Sequence, residues 1–193
     1  MSSRIITLPN LLTVLRMMLI PVFVSLLVYQ RFGWALFIFV IAGVTDGLDG
    51  LLARNLKQGS ELGRILDPIA DKLMLVTAFV ALSQHNILPS PLPRHFPIPF
   101  WVTAAVISRD IFIIVGAAAI NIVTGFRGFR PSLLGKVSTT VQICAIIAVL
   151  VAAHYPVISG YLLPTVYFTV FILTVASGLH YIFHAARLLN EER

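Results

Sequence analysis

Charged residues are scarce in this chain, and their scarcity excludes an ordinary soluble domain. Only 11% of its 193 residues are charged, whereas a soluble domain carries roughly 25%. The mean hydropathy is +0.93, and no polar segment is long enough to bury a core of its own. The sequence therefore predicts an integral membrane protein that forms one transmembrane domain over residues 1–193.

Cysteine is almost absent as well. The single Cys144, in the apolar run VQICAIIAVL, excludes an internal disulfide and a Cys-x2-Cys metal site. A lone cysteine in such a run acts as a small apolar side chain, so we expect Cys144 to be buried.

Acidic residues are also few. The chain has 8 of them against 14 lysines and arginines, which gives a net charge of +6. The basic residues form no long run, so no nucleic-acid partner is expected. In a membrane protein, such an excess is typical of loops that face the cytoplasm, or of sites for anionic lipid and phosphate.

What the chain does have is long apolar segments. About 20 apolar residues cross a bilayer as a helix. The sequence predicts an all-α fold with six transmembrane helices, over Leu8–Gln30, Phe32–Arg54, Gly63–Gln84, Pro99–Thr124, Leu133–His154 and Tyr161–Arg187.

The basic residues orient these helices. Arg31 and Arg94 fall on one side of the membrane, and the other side carries Arg4, Arg54, Lys57, Arg64, Arg127, Arg130, Lys136, Arg187 and Arg193. By the positive-inside rule, both termini and the connection between the second and third helices are cytoplasmic. The proline-rich connection HNILPSPLPRHFPIP would lie on the opposite side as an extended loop.

Four aspartates stand where the second helix ends and the third begins, in the stretch DGLDGLLARNLKQGSELGRILDPIADK. On the second helix, two carboxylates share roughly 100° of arc with two residues that have almost no side chain. These residues are Asp46, Asp49, Gly50 and Ala53. The small residues leave a slot for a flat group, and Arg54 at its edge could hold a phosphate through paired hydrogen bonds.

The third helix repeats this pattern, because Gly63, Asp67 and Asp71 recur every four residues. When the two faces meet, their carboxylates share one cavity at the cytoplasmic ends of the two helices. Charges at that density need counter-ions. Oxygen ligands suit Mg²⁺, Mn²⁺ or Ca²⁺ rather than Zn²⁺, and two such ions can stabilise a displacement at phosphorus.

Other interpretations of these residues stay open at this point. The Asp-Gly pairs of DGLDG are typical of a turn, and LDPIADK could start a helix with Asp67 as its N-cap. A cation transporter also uses aspartates within a membrane, but nearer the bilayer midplane. An intramembrane prenyltransferase would be expected to carry a second Asp-rich motif, and only this one region has one.

The stretch resembles the signature of the CDP-alcohol phosphatidyltransferase family, D-x2-D-G-x2-A-R-x8-G-x3-D-x3-D. All eight positions match, at Asp46, Asp49, Gly50, Ala53, Arg54, Gly63, Asp67 and Asp71. The resemblance implies an enzyme that transfers a phosphatidyl group from a CDP-linked lipid to an alcohol and releases CMP. It also implies the six-helix layout with a cytoplasmic active site, and relatives of the family are commonly homodimers.

The resemblance also implies roles for the motif residues. Asp46, Asp49 and Asp67 would be the principal ligands of Mg²⁺ or Mn²⁺, two ions per site. Asp71 would complete the metal site and act as the base that deprotonates the acceptor hydroxyl. The CDP-lipid would be bound by Asp46, Gly50, Ala53 and Arg54, with Gly50 and Ala53 against the cytidine ring and Arg54 on the diphosphate.

Two further segments resemble the branch of this family that makes phosphatidylglycerophosphate or cardiolipin. They are PN-x-LT-x2-R, carried by Pro9, Asn10, Leu12, Thr13 and Arg16, and GK-x2-T, carried by Gly135, Lys136 and Thr139. We expect glycerol 3-phosphate as the acceptor, with phosphatidylglycerol as the alternative. Either a bacterial cytoplasmic membrane, which we favour, or a mitochondrial inner membrane would fit.

Cations elsewhere in the chain are candidates for the acceptor phosphate. Arg109 and Asp110 interrupt the fourth helix, and charges inside an apolar helix are functional candidates. Arg130 and Lys136 lie before and within the start of the fifth helix. We predict that Arg109, Arg130 and Lys136 bind the acceptor phosphate. The alternatives are a structural Arg–Asp pair to another helix for Arg109, and ordinary flanking charge for the cations near the fifth helix.

Overall fold

The computed structural model describes residues 8–56, 61–87, 95–124, 133–155 and 159–191. These residues are almost entirely helical, which confirms the all-α prediction. The six α-helices are α1 (Leu8–Val28), α2 (Phe32–Leu56), α3 (Glu61–Leu82), α4 (Phe100–Thr124), α5 (Leu133–His154) and α6 (Ser159–Glu191).

Within the part of the chain whose side chains the structure describes, four of these helices contain apolar segments long enough to cross a membrane. The segments are Leu11–Val28, Phe100–Ala118, Leu133–His154 and Leu162–Phe183. Among the described side chains, helix α2 adds a shorter apolar segment, Phe32–Thr45. This composition is that of a membrane protein. The orientation of the termini remains a prediction.

The helices pack in a closed order. Helix α1 packs against both α2 and α3. Helix α2 also packs against α5, α5 packs against α6, and α6 packs against α4. A smaller contact between α4 and α3 completes the circuit. Buried aromatic side chains fill the space between neighbours; for example, the ring centroids of Phe23 and Phe39 are 5.8 Å apart.

A tight turn sets α2 beside α1. The amide of Arg31 donates to the carbonyl of Leu26 at 2.8 Å, and the amide of Gln30 donates to Leu27 at 2.9 Å. This pair of bonds is a Schellman motif, which needs a left-handed residue between helix and exit, and Gln30 has a φ of 56°. The chain reverses here, so the polar ends of α2 and α3 come to the end of the bundle opposite this turn.

The structure bears on four local expectations, one of them only in part. Helix α2 continues through DGLDG, so the turn interpretation is wrong, and α3 begins at Glu61, so Asp67 is not an N-cap. The proline-rich connection begins with a 3-10 turn over His85–Ile87, and its residues 88–94 lie outside the described part of the structure, so the expected extended loop stays a prediction there. Cys144 is exposed on α5, and the expectation of burial was wrong because the lipid-facing surface is as apolar as the interior.

Candidate functional site

A cavity of about 140 Å³ lies where α1, α2, α3 and α5 meet. Most of its wall is apolar, but three charged side chains reach it. Its lining consists of Arg16, Phe39, Ala42, Gly43, Asp71, Lys72, Met74, Leu75, Thr139 and Ile143. Asp71, the last aspartate of the motif, therefore shares this cavity with residues of α2 and α5.

The helical register continues the walls of this cavity into the rest of the motif. A turn of about 100° per residue sets positions 46 and 50 within roughly 20° of Phe39, which lines the cavity. On α3, position 67 lies one turn before Asp71. The side chains of Asp46, Asp49, Gly50, Ala53, Arg54 and Asp67 lie outside the described part of the structure.

Asp71 forms an ion pair with Arg16 of α1. The side chain of Arg16 is only 2% exposed, whereas that of Asp71 is 41% exposed and faces the cavity. A buried guanidinium without an acidic partner would be costly, so this pair accounts for an arginine inside an apolar helix. It also holds α3 against α1 at the level of the predicted base.

A second set of charges lies beside the first. The ammonium Nζ of Lys72 is 2.7 Å from Oδ1 of Asp110, and the same oxygen accepts from Nη1 of Arg109 at 2.7 Å. Asp110 and Arg109 are buried, with 5% and 6% of their surface exposed. One carboxylate thus stands between two cations, and α3 is connected to α4.

Arg109 extends this network to the remaining helices. Its Nη2 donates to the hydroxyl of Ser177 on α6 at 2.9 Å and to the carbonyl of Gly135 on α5 at 3.1 Å. Its Nε also donates to Ser177, at 3.3 Å. The structural role that was the alternative for Arg109 is therefore present: Arg109 pairs with Asp110 and also bonds to α5 and α6. A direct contact with the acceptor phosphate stays a prediction.

The structure shows less about the other two residues that were predicted to bind the acceptor phosphate. Lys136 is on the first turn of α5, and its side chain is exposed. Arg130 lies outside the described residues. The sequence interpretation gave no role to Lys72, although it stands next to Asp71 and inside a helix where an ammonium is costly. Its position beside Asp71 in this helix was the signal by which the sequence could have identified Lys72 as a candidate.

The chemistry of the predicted donors fits a hard divalent cation, because all four are carboxylates. Asp71, the one whose side chain is described, has its carboxylate open to the cavity. Among the described side chains, no three His, Cys, Asp or Glu residues come together. Three of the four predicted ligands are outside that set.

Known proteins resemble the chain over most of its length. The family model for CDP-alcohol phosphatidyltransferase matches residues 6–181. A cardiolipin synthase (CMP-forming) of Streptomyces coelicolor is 33% identical over 72% of this chain and 62% of its own length. A probable phosphatidylglycerophosphate synthase of Mycobacterium tuberculosis is 34% identical, over 96% of this chain and 84% of its own.

A third relative is matched almost from end to end. The CDP-diacylglycerol--glycerol-3-phosphate 3-phosphatidyltransferase of Blochmanniella floridana is 32% identical over 96% of this chain and 94% of its own. The chain spans about 62% of the length of the cardiolipin synthases it matches, including that of Homo sapiens. With the family model covering nearly the whole sequence and the eight-position motif intact, the chain belongs to the CDP-alcohol phosphatidyltransferase family.

Proposed function

We propose that this protein transfers the phosphatidyl group of CDP-diacylglycerol to glycerol 3-phosphate, forming phosphatidylglycerophosphate and CMP. The observation that carries the proposal is the position of Asp71 in an open cavity. There it continues the helical face of the family motif. The names of the relatives from Mycobacterium tuberculosis and Blochmanniella floridana support the same reaction.

The reaction needs a base near the acceptor hydroxyl. In the proposed step, that hydroxyl oxygen attacks the phosphorus that carries diacylglycerol, the bond to the CMP oxygen breaks, and Asp71 takes the hydroxyl proton. Arg16 holds the Asp71 carboxylate from the side of α1 and so fixes its direction. Asp46, Asp49, Asp67 and Asp71 would hold two Mg²⁺ or Mn²⁺ ions, which supply charge neutralisation for the diphosphate when bound.

The α2 side of the cavity suits the nucleotide. Gly43 lines the cavity, and a Cβ added there would meet nothing within 4 Å. About two and three turns further along α2 come Gly50 and Ala53, which we propose lie against the cytidine ring. Arg54 would then contact the diphosphate through its planar guanidinium.

The membrane fixes how the lipid substrate must lie. Its acyl chains stay in the bilayer beside the apolar helices, while its head group enters at the polar ends of α2 and α3. We propose that this end is cytoplasmic, in a bacterial cytoplasmic membrane, with both termini on the same side. We also propose a homodimer, which the family resemblance implies.

Phosphatidylglycerol is the second candidate acceptor, and cardiolipin would then be the product. The relatives named cardiolipin synthase, from Streptomyces coelicolor and Homo sapiens, favour it. Both acceptors offer a hydroxyl on a glycerol unit that also carries a phosphate. The proposed site chemistry is the same for either one.

The test is release of CMP by the purified full chain in detergent micelles. CDP-diacylglycerol and Mg²⁺ are supplied with glycerol 3-phosphate or with phosphatidylglycerol in separate reactions. We expect release with glycerol 3-phosphate. Asp71→Asn should lower turnover by orders of magnitude and leave binding of CDP-diacylglycerol largely intact. Absence of CMP with both acceptors would refute the proposed function.

A further inference from the structure

We propose that Lys72 binds the phosphate of the acceptor alcohol, and that Asp110 and Arg109 position its ammonium group for this purpose. The inference rests on the proposed function and deepens it. It assigns the acceptor phosphate to a residue on α3 next to the proposed base. Arg109 then acts through Asp110 rather than by touching the substrate.

Lys72 is a cation that the substrate can reach. Its side chain is 34% exposed and lines the same cavity as Asp71. Asp71 and Lys72 are consecutive residues, with Cα atoms about 3.8 Å apart, and both line the α3 wall of the cavity. An acceptor with its hydroxyl at Asp71 would bring a phosphate on the same glycerol unit close to Lys72.

The charge of the surrounding group favours an anion. Lys72 and Arg109 both donate to one carboxylate oxygen of Asp110, so two positive charges share one negative charge. The other oxygen of Asp110 has no hydrogen-bond partner among the described residues. The three side chains together carry one excess positive charge, at the cavity wall where Lys72 reaches it.

Asp110 is held in a position that fixes the ammonium group of Lys72. Its carboxylate is 5% exposed and is fixed by Arg109. Arg109 is in turn anchored to Ser177 and Gly135. An ion pair with buried charge contributes little net stability, because desolvation offsets the attraction. Helices α3 and α4 make only a small contact, and the bond from Asp110 to Lys72 connects them.

Of the three cations chosen from the sequence, Arg130 lies outside the described residues, and Arg109 and Lys136 fit this role less well. Arg109 is 6% exposed, and its hydrogen bonds are directed to α5, α6 and Asp110. The side chain of Lys136 is exposed and does not line the cavity. Arg16 does line it but is paired with the proposed base. Lys72 combines position, charge and access.

The experiment compares acceptors with and without a phosphate. Lys72→Gln should lower kcat/KM for glycerol 3-phosphate by about 10- to 100-fold, the range for one hydrogen bond to a charged group. With glycerol, which lacks the phosphate, the same variant should change kcat/KM by less than about twofold. The KM for CDP-diacylglycerol should stay close to that of the wild type. If phosphatidylglycerol is the acceptor used, monoacylglycerol is its phosphate-free counterpart.

Three further variants complete the design. Lys72→Arg keeps the charge and should recover part of the loss. Asp110→Asn should raise the KM for the phosphate-bearing acceptor more than it lowers kcat, because Lys72 remains but is less well held. Arg31→Gln, on the turn between α1 and α2 at the opposite end of the bundle, is the charge-matched control and should behave as wild type.

Binding of glycerol 3-phosphate to the protein without CDP-diacylglycerol is measured in parallel by calorimetry, and Lys72→Gln should weaken it by a similar factor. Equal losses with glycerol and glycerol 3-phosphate, or a change confined to the melting temperature, would overturn the proposal and make Lys72 a connection between helices only. Such a result leaves CMP release by the wild type in place. Failure of the proposed function instead removes CMP release from the wild type itself.

Discussion

Removing the carboxylate of Asp110 should destabilise the protein more than any change at its exposed neighbours. Asp110→Leu leaves the guanidinium of Arg109 buried, with 6% of its surface exposed, and among the described residues its remaining hydrogen bonds go to the neutral acceptors of Ser177 and Gly135. Breaking a buried ion pair on one side costs about 3–5 kcal/mol. Lys72 adds little to this figure, because its side chain is 34% exposed and can be hydrated.

The same reasoning predicts that a second substitution restores much of the loss. In Arg109→Met/Asp110→Leu, no buried charge remains unpaired, and replacing a buried pair by apolar side chains is often neutral or better. Ser177 loses its donor, at a cost of about 1 kcal/mol. We therefore expect the double variant to be at least about 1–2 kcal/mol more stable than Asp110→Leu.

The assay is unfolding in detergent micelles, followed by circular dichroism, with Ser108→Ala as the control. Ser108 is an exposed residue of the same helix, two positions away. The reasoning would be refuted by an Asp110→Leu variant as stable as Ser108→Ala. It would equally be refuted if the double variant lost as much unfolding free energy as Asp110→Leu and Arg109→Met lose together.

Two further predictions concern packing and the cation. A Cβ at Gly116 of α4 would lie 2.8 Å from the ring of Tyr181 on α6, so Gly116→Ala should cost about 1–3 kcal/mol. Gly43→Ala, where a Cβ meets nothing within 4 Å, should cost no stability in the same unfolding assay. EDTA should abolish CMP release, and Mg²⁺ or Mn²⁺ should restore it. Turnover that persists in EDTA would contradict the role given to the aspartates.

The helices could be predicted well because four of them contain a long apolar run and α2 begins with a shorter one. Helix α5 has the predicted bounds, Leu133–His154, and α2 begins at the predicted Phe32. The motif could be found because its spacing is local and fits the helical period. That α2 continues through DGLDG was harder to predict, because two Asp-Gly pairs favour a turn when taken alone.

Partners between helices could not be predicted. Arg16 and Asp71 are 55 residues apart, and Lys72 and Asp110 are 38 apart. A local pattern carries no information on which helices become neighbours. Cys144 was placed wrongly for a related reason: in a membrane protein, apolar side chains such as Phe112 and Phe168 also cover the outer surface.

Product identification tests the central claim most directly. The purified protein is incubated with CDP-diacylglycerol, Mg²⁺ and glycerol 3-phosphate, and both lipid and nucleotide products are quantified by mass spectrometry. The account predicts phosphatidylglycerophosphate and CMP in equal amounts, with neither formed by Asp71→Asn above background. CMP accompanied by phosphatidic acid, or CDP-diacylglycerol left unconsumed, would contradict it.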